Sequence, residues 1–102
     1  MRVYVSGPIS GDKRYRLHFA AAAYRLRRAG YEPASPAEID APVAARDGDS
    51  PWLGWMRTCM RLLATCDGVA LLPGWRDSRG AMAEADWAES VGLPVKELEE
   101  WV

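Results

Sequence analysis

Apolar positions along the chain alternate between short continuous runs and stripes of helical spacing. Asp67–Leu72 is an apolar run without polar alternation, which is typical of a strand buried on both faces of a parallel sheet. Arg2–Ser6 contains β-branched and aromatic residues and is ended by Gly7-Pro8, so we expect a first strand there. Tyr31–Ser35 and the segment that begins at Pro94-Val95 predict two shorter strands.

Helical spacing fills the intervals between these strands, over about Asp12–Ala29, Trp52–Thr65 and Gly80–Val91. Gly30 and Gly92 supply C-caps for the first and third of these helices. The order β-α-β-α-β-α-β predicts an α/β fold. With right-handed crossovers, the simplest closure is a small doubly wound (flavodoxin- or Rossmann-like) parallel sheet of four or five strands with helices on both faces.

The packing face of each helix follows from residues three and four positions apart. We expect the first helix to pack on the sheet through apolar side chains, namely Leu17, Ala20, Ala21, Tyr24 and Leu26. We expect the third helix to pack through Ala81, Ala85, Ala88 and Val91.

Two further segments interrupt the simple alternation of strands and helices. Ala37–Pro51 is rich in Asp, Pro and Gly, and its length is that of a mobile lid or binding loop. Lys96–Val102 predicts a short acidic tail, whose Trp101 docks either on the body of the protein or on a second subunit.

Composition indicates an ordinary globular protein. The chain has 102 residues, of which 49% are hydrophobic and 26% charged, and we expect one domain over residues 1–102. A net charge of −1 gives no electrostatic support for binding a nucleic acid polymer or an acidic membrane surface. Without a signal peptide or a long apolar run, the expected location is the cytoplasm.

The cysteine and histidine residues limit the redox and metal chemistry that we expect of this chain. Cys59 and Cys66 lie seven positions apart in one predicted helix and its end, too far apart for an easy disulfide, so we expect reduced thiols. One His and the absence of CxxC or HExxH spacing leave a metal site unsupported. We therefore expect neither a metal nor a cofactor.

Glu84 is the residue whose position is hardest to explain as structure alone. It lies on the apolar stripe of the third predicted helix, three residues after Ala81 and four before Ala88. Removing an unpaired carboxylate from water costs several kcal/mol. Either Glu84 lies at the edge of the stripe and reaches solvent, or it faces a cleft in which it does chemistry.

Two loops are placed to form such a cleft. In open parallel sheets, ligands bind where loops leave the carboxyl ends of strands, and Gly7-Pro8-Ile9-Ser10-Gly11 follows the first strand. An ordinary strand-to-helix turn is the alternative. The second loop, Pro73–Ser78, precedes the helix of Glu84, and Asp77 or Ser78 can accept hydrogen bonds from its first free NH groups.

Three stretches of the chain resemble the nucleoside 2-deoxyribosyltransferase-like superfamily and, within it, the DUF4406 group: VYVSGPISG, AGYEPASPAE and CDGVALLPGWRDSRGAMAEADWAESVGLPV. The resemblance covers nearly the whole chain. It implies that Glu84 is a nucleophile that attacks the anomeric carbon of a nucleoside or nucleotide, and that Tyr4 holds it. It also implies a homodimer.

The resemblance assigns the substrate-binding residues as well. Gly7, Pro8 and Ile9 correspond to the wall around base and sugar. Ser78 and Gly80, in the loop Asp77-Ser78-Arg79-Gly80, correspond to residues that bind phosphate in the 2′-deoxynucleoside 5′-monophosphate N-glycosidases, and Arg79 could add charge. Ser10 stands where those hydrolases often carry a phosphate-binding Arg, with Arg14 or Arg79 as candidate replacements.

One departure from the superfamily concerns the proton donor. Cys59 stands where an aspartate usually assists the departing base, and a thiol is a poor substitute. An acid of the long loop, Asp40, Asp47 or Asp49, is one candidate to replace it.

The first hypothesis is therefore an N-glycosidase acting on a (deoxy)nucleoside or its 5′-monophosphate through a covalent glycosyl-Glu84 intermediate. The alternatives are a nucleotide-binding or sensor module without catalysis, which Cys59 favours, and a deoxyribosyltransferase. A purely structural or oligomeric role ranks last, because it does not explain the position of Glu84.

Overall fold

The centre of the protein is a sheet of parallel strands. The structure is a computed structural model, which describes residues 1–38 and 48–102. The strands are β1 (Arg2–Ser6), β2 (Glu32–Ala34), β3 (Gly68–Leu71) and β4 (Val95–Glu97). Their spatial order is β2-β1-β3-β4, and every neighbouring pair is parallel. The predicted α/β class and parallel sheet are confirmed, with four strands in the described part of the chain.

The helices are α1 (Tyr15–Arg28), α2 (Pro51–Leu63), α3 (Arg79–Ser90) and the short α4 (Leu98–Trp101). Side chains of α1 and α4 pack with Val3, Val5 and Ala70 on one face of the sheet. Side chains of α2 and α3 pack with Tyr4, Val69 and Leu71 on the other. The sheet is therefore covered on both faces, as its apolar strands predicted. None of the described helices combines the length and apolar character needed to cross a membrane.

The packing face predicted for α1 was wrong except for Leu26. Its buried residues are Phe19, Ala22, Ala23 and Leu26, whereas Leu17 and Tyr24 are 64% and 61% exposed. In this alanine-rich helix two stripes share the spacing of three and four residues, so periodicity alone could not separate them. The stripe that contains Phe19 fills the core beside Val3 and Val5.

The packing face predicted for α3 was right for its three alanines and wrong for Val91. Ala81, Ala85 and Ala88 are buried, but α3 ends at Ser90 and Val91 is its half-exposed C-cap. The left-handed Gly92, with a φ of 87°, then turns the chain toward β4.

The C-terminal segment docks on the body of the protein. Trp101 is 6% exposed, its Nε1 donates a hydrogen bond of 2.9 Å to the carbonyl oxygen of Val69, and its ring packs edge-on against Tyr31. The ring lies so close to Gly68 that a Cβ there would stand 2.5 Å from its Cη2 atom. The side chain therefore fits a notch that only glycine leaves open at the start of β3.

The long predicted loop is described at its two ends. Pro36–Glu38 forms a short 3-10 turn, and Ser50 caps α2 by accepting a hydrogen bond from the Leu53 NH. Residues 39–47 lie outside the described residues, and with them lies the prediction of a lid.

Candidate active site

A cleft opens at the carboxyl ends of β1 and β3. The chain leaves β1 toward β2 on one side of the sheet, and it leaves β3 toward β4 on the other. A crevice forms at such a reversal because the two crossover connections diverge there. The cleft has a volume of about 610 Å³. It is lined by Gly7, Ile9, Ser10, Tyr15, Phe19, Pro36, Pro51, Trp52, Trp55, Met56, Cys59, Asp77, Ser78, Arg79, Gly80, Ala81 and Glu84.

Glu84 projects from α3 into this cleft and is 5% exposed. Its Oε2 atom accepts a hydrogen bond from the Tyr4 hydroxyl, and its Oε1 atom accepts one of 2.8 Å from the Ser6 hydroxyl. Tyr4 and Ser6 lie two residues apart on β1, so the alternation of the strand places both hydroxyls on the α3 side. The strand thereby fixes both oxygens of the carboxylate.

Burial changes the protonation of Glu84. Desolvation raises the pKa of this carboxyl to about 7, although the hydrogen bonds from Tyr4 and Ser6 oppose the increase. Burial, and then the neighbouring carboxylate, raise the pKa of Tyr4 well above its ordinary value. At neutral pH the tyrosine is therefore a proton-bearing donor, and Glu84 can exist in either protonation state.

Cys59 of α2 lies beside this pair on the wall of the cleft. Its side chain is buried in the same core cluster as Tyr4. Burial, and then the nearby Glu84 carboxylate, raise the pKa of the thiol to about 12. A thiol that holds its proton so tightly is a weak acid and a weak nucleophile at neutral pH.

The N-terminus of α3 forms the rim of the cleft. Ser78 is the N-cap, and its hydroxyl oxygen accepts a hydrogen bond of 3.2 Å from the Ala81 NH. The guanidinium of Arg79 stacks 4.0 Å above the ring of Trp52, which joins the starts of α3 and α2. Gly80 and Asp77 complete the rim. A helix N-terminus, a hydroxyl and a guanidinium together favour an anionic group.

The β1–α1 loop forms the opposite wall through Gly7, Ile9 and Ser10. A Cβ at position 7 would stand 2.8 Å from the Cβ of Leu72, so only glycine lets this loop pack against the end of β3. Pro8 points to the other side of the loop. It lines a separate hollow of about 300 Å³ beside α1 and does not line the cleft.

The profile of the family described as a domain of unknown function (DUF4406) matches residues 1–97. The chain belongs to the DUF4406 family. No curated protein matches it.

Solved structures that share the fold of this DUF4406 chain include the following two. A 2-deoxyribosyltransferase from Bacillus psychrosaccharolyticus superposes with a TM-score of 0.69 at 20% sequence identity, over 93% of this chain and 69% of that one. A conserved protein from Enterococcus faecalis V583 superposes with a TM-score of 0.66 at 20% identity, over 93% of this chain and 60% of that one. The fold is therefore that of the deoxyribosyltransferases.

Asp49, one of the acids considered as replacements for an aspartate at position 59, does not line the cleft of the DUF4406 chain. The carboxylate of Asp49 forms an ion pair of 2.9 Å with Arg57 Nε. Asp40 and Asp47 lie outside the described residues. No group of three or more potential metal ligands occurs within residues 1–38 and 48–102.

Sequence reasoning about the DUF4406 chain missed Ser6 as a partner of Glu84. The signal was available, because a strand that turns Tyr4 toward the glutamate turns Ser6 the same way. The structure also places Trp52 and Trp55 of α2 on the cleft wall. No sequence pattern marks Tyr15 and Phe19 as cleft residues, because their place in the cleft depends on how α1 crosses the sheet.

Proposed function

We propose that this DUF4406 protein is an N-glycosidase that hydrolyses the N-glycosidic bond of a (deoxy)nucleoside or its 5′-monophosphate. The observation that carries the proposal is the position of Glu84, a buried carboxylate held by two hydroxyls and facing a cleft of nucleotide size. A binding site for a neutral ligand has no need of so costly a group. The deoxyribosyltransferase fold supports the same class of chemistry.

In the proposed mechanism Glu84 acts as the nucleophile. A carboxylate oxygen attacks the anomeric carbon while the bond to the base breaks, and the electron pair of that bond moves onto the base, which takes up a proton as it leaves. Water then attacks the anomeric carbon of the glycosyl ester, and the carboxylate leaves, so the sugar configuration is retained. Tyr4 and Ser6 orient the carboxylate for the first step.

The rim of the cleft is the proposed site for the 5′ end of the substrate. Ser78, Arg79 and Gly80 would bind a phosphate with the NH groups that open α3. Asp77 borders the same rim. Gly7, Ile9 and Ser10 would enclose base and sugar, with Pro8 shaping their loop from its other side.

Two alternatives make different predictions. A nucleotide-binding module without turnover is favoured by Cys59, since the resemblance implies an aspartate at this position and the buried thiol is a much weaker acid than a carboxyl group. A deoxyribosyltransferase is favoured by the shared fold, and it would pass the sugar to a second base instead of to water.

The test is a chromatographic assay for free base with a panel of ribo- and deoxyribonucleosides and their 5′-monophosphates. Glu84→Gln should abolish base release while leaving ligand binding largely intact. Glu89→Gln is the matched control, because Glu89 is an exposed carboxylate of the same helix. Base release that persists in Glu84→Gln would exclude Glu84 as nucleophile. Binding without release in the wild type would favour the binding module, and release that requires a second base would favour the transferase.

A further inference from the structure

Within the residues that the structure describes, no cation balances the charge of the buried Glu84. Both of its hydrogen-bond partners, Tyr4 and Ser6, are neutral hydroxyls, and no ion pair reaches it from the residues that the structure describes. Its titratable neighbours are the Tyr4 phenol of β1 and the Cys59 thiol of α2, neither of which carries positive charge. A positively charged ligand would therefore balance the carboxylate where the described residues do not.

The walls of the cleft are suited to a flat cation. Four aromatic residues line it, namely Tyr15, Phe19, Trp52 and Trp55. The face of an aromatic ring attracts cations through its quadrupole. Arg79 already uses Trp52 in this way, since its planar guanidinium lies 4.0 Å from the ring centroid.

The described part of the cleft is poorly equipped to protonate a departing base. The polar group beside Tyr4 and Glu84 is the Cys59 thiol, which holds its proton too tightly to act as an efficient acid. Among the described lining residues the other carboxylate is Asp77, an exposed residue on the rim. A neutral base needs a proton as it leaves, whereas a base that is already cationic leaves as a neutral molecule.

We propose that the preferred substrates are N-glycosides of cationic heteroaromatic rings, such as N-glycosyl pyridinium or N7-alkylated purine nucleosides and their 5′-monophosphates. This inference rests on the proposed function, and it assigns the substrate class of the same site. Cys59 is then a specificity-determining residue, because a thiol in place of an acid restricts the site to leaving groups that need no proton.

The reaction balances without a proton donor. Glu84 attacks the anomeric carbon, the C–N bond breaks, and its electron pair neutralises the positive ring, which leaves as the free base. Water then displaces the carboxylate from the sugar and releases one proton to solvent. A cationic nucleoside and water are thereby converted to a neutral base, a free sugar and a proton.

The first test compares 7-methylguanosine 5′-monophosphate with guanosine 5′-monophosphate, which differ by one methyl group and one charge. Because methylation itself weakens the glycosidic bond, each kcat/KM is divided by the rate of the uncatalysed reaction. We expect this ratio to favour the cation by about a hundredfold, the lower range of what general acid catalysis supplies for a neutral base.

The outcomes separate this inference from the proposed function. Equal ratios, with release that depends on Glu84, would overturn the cationic substrate class and leave the glycosidase standing. Release from neither compound, nor from the wider nucleoside panel, would overturn the proposed function and this inference with it.

A second test measures charge preference without turnover. 1-Methylnicotinamide carries a fixed positive charge and no glycosidic bond, and nicotinamide is its neutral counterpart. Wild-type protein should bind the cation about tenfold more tightly, and Glu84→Gln should remove most of that preference. Equal binding of the two compounds, or a preference unchanged in Glu84→Gln, would contradict the role given to the carboxylate.

A third test exchanges Cys59 for an acid. Cys59→Asp should raise the hydrolysis of guanosine 5′-monophosphate and narrow the preference for its methylated form. Cys59→Asn, of the same shape but unable to supply a proton, should not. Melting curves verify that both variants fold. The comparison of the two nucleotides with wild-type protein does not depend on either variant. An unchanged preference in a folded Cys59→Asp protein would remove Cys59 as a determinant of specificity.

Discussion

Glu84 combines two properties that compete with each other. Burial makes its carboxylate a poorly solvated nucleophile, and the same burial favours the protonated form, which cannot attack. The hydrogen bonds that two hydroxyls of one strand donate to the carboxylate stabilise its ionised form and partly offset this effect. The activity of the site should therefore depend on pH in the neutral range, where few other carboxyl groups titrate.

The pH dependence of turnover follows from the ionised form of Glu84. Since its pKa lies at about 7, kcat/KM should rise about tenfold per pH unit below pH 6 and level off above pH 8. Initial rates across pH 5–9 measure this profile. A flat profile over that range would mean that another group limits the reaction.

The same pKa predicts a pH-dependent stability. The folded protein binds the Glu84 proton more tightly than the unfolded chain, in which the pKa of this carboxyl has its usual value of 4.5. Its contribution to the free energy of unfolding is therefore lost as pH rises from about 4.5 to 7, by up to roughly 3 kcal/mol.

Glu84→Gln lacks this ionisation and should gain thermal stability relative to the wild type as pH rises from 5 to 8. Melting temperatures of the two proteins across that range provide the measurement, with Glu89→Gln as the exposed control. A difference between Glu84→Gln and wild type that does not change with pH would show that folding does not raise the pKa of Glu84 above its value in the unfolded chain.

At the scale of elements, α3 is both a core helix and the rim of the cleft. Its first turn is fixed by the Ser78 cap, while its alanines pack on Tyr4, Val69 and Leu71 one turn later. The small side chains keep the helix close to the sheet. This closeness brings Glu84 within hydrogen-bonding distance of β1.

Ser78→Ala should reduce the free energy of unfolding by about 1 kcal/mol, because it removes the N-cap acceptor of α3. If the rim binds phosphate, the same variant should impair a 5′-monophosphate more than the matching nucleoside. Chemical denaturation and paired KM values measure the two effects. Ser90→Ala, at the other end of α3, is the control. Equal effects on both substrates would confine Ser78 to the capping role.

Strands and helix ends could be predicted because their signals are local. Apolar runs bounded by Gly and Pro gave β1 and β3, and Gly92 marked the end of α3. The face of α1 could not be predicted in the same way, because Leu17 and Phe19 offer stripes of the same spacing and only the volume of the core separates them. Ser6 could have been predicted from the alternation of β1 once Tyr4 was assigned to Glu84, although Glu84 lies 78 residues further along the chain.

At the scale of the whole molecule, the C-terminal segment stabilises the sheet. Trp101 closes the notch over Gly68 and packs on Tyr31, so a side chain from the end of the chain joins β3 to the segment that leads into β2. The acidic tail predicted for this segment is a short helix, and its Glu99 forms an ion pair of 2.7 Å with Arg25 of α1. Such an exposed pair contributes little beside the ring.

Trp101→Ala should lower the free energy of unfolding by about 3–5 kcal/mol, because it empties a filled site in the core. Trp101→Phe keeps most of the ring and loses the hydrogen bond to Val69, so its cost should be smaller. Denaturant titration ranks the two variants. Equal and small losses would mean that the segment adds little to the fold.

The predicted homodimer is tested on the same samples by light scattering.

The route of the chain through α4 also decides how the protein can be attached to a surface. The helix packs with α1 on the face of the sheet opposite to α2 and α3, so Val102, which follows it directly, comes off the face away from Glu84. A linker added after Val102 would therefore hold the molecule with its cleft facing the solution. Immobilised in that orientation, the protein should accept a dissolved ligand as readily as the free protein.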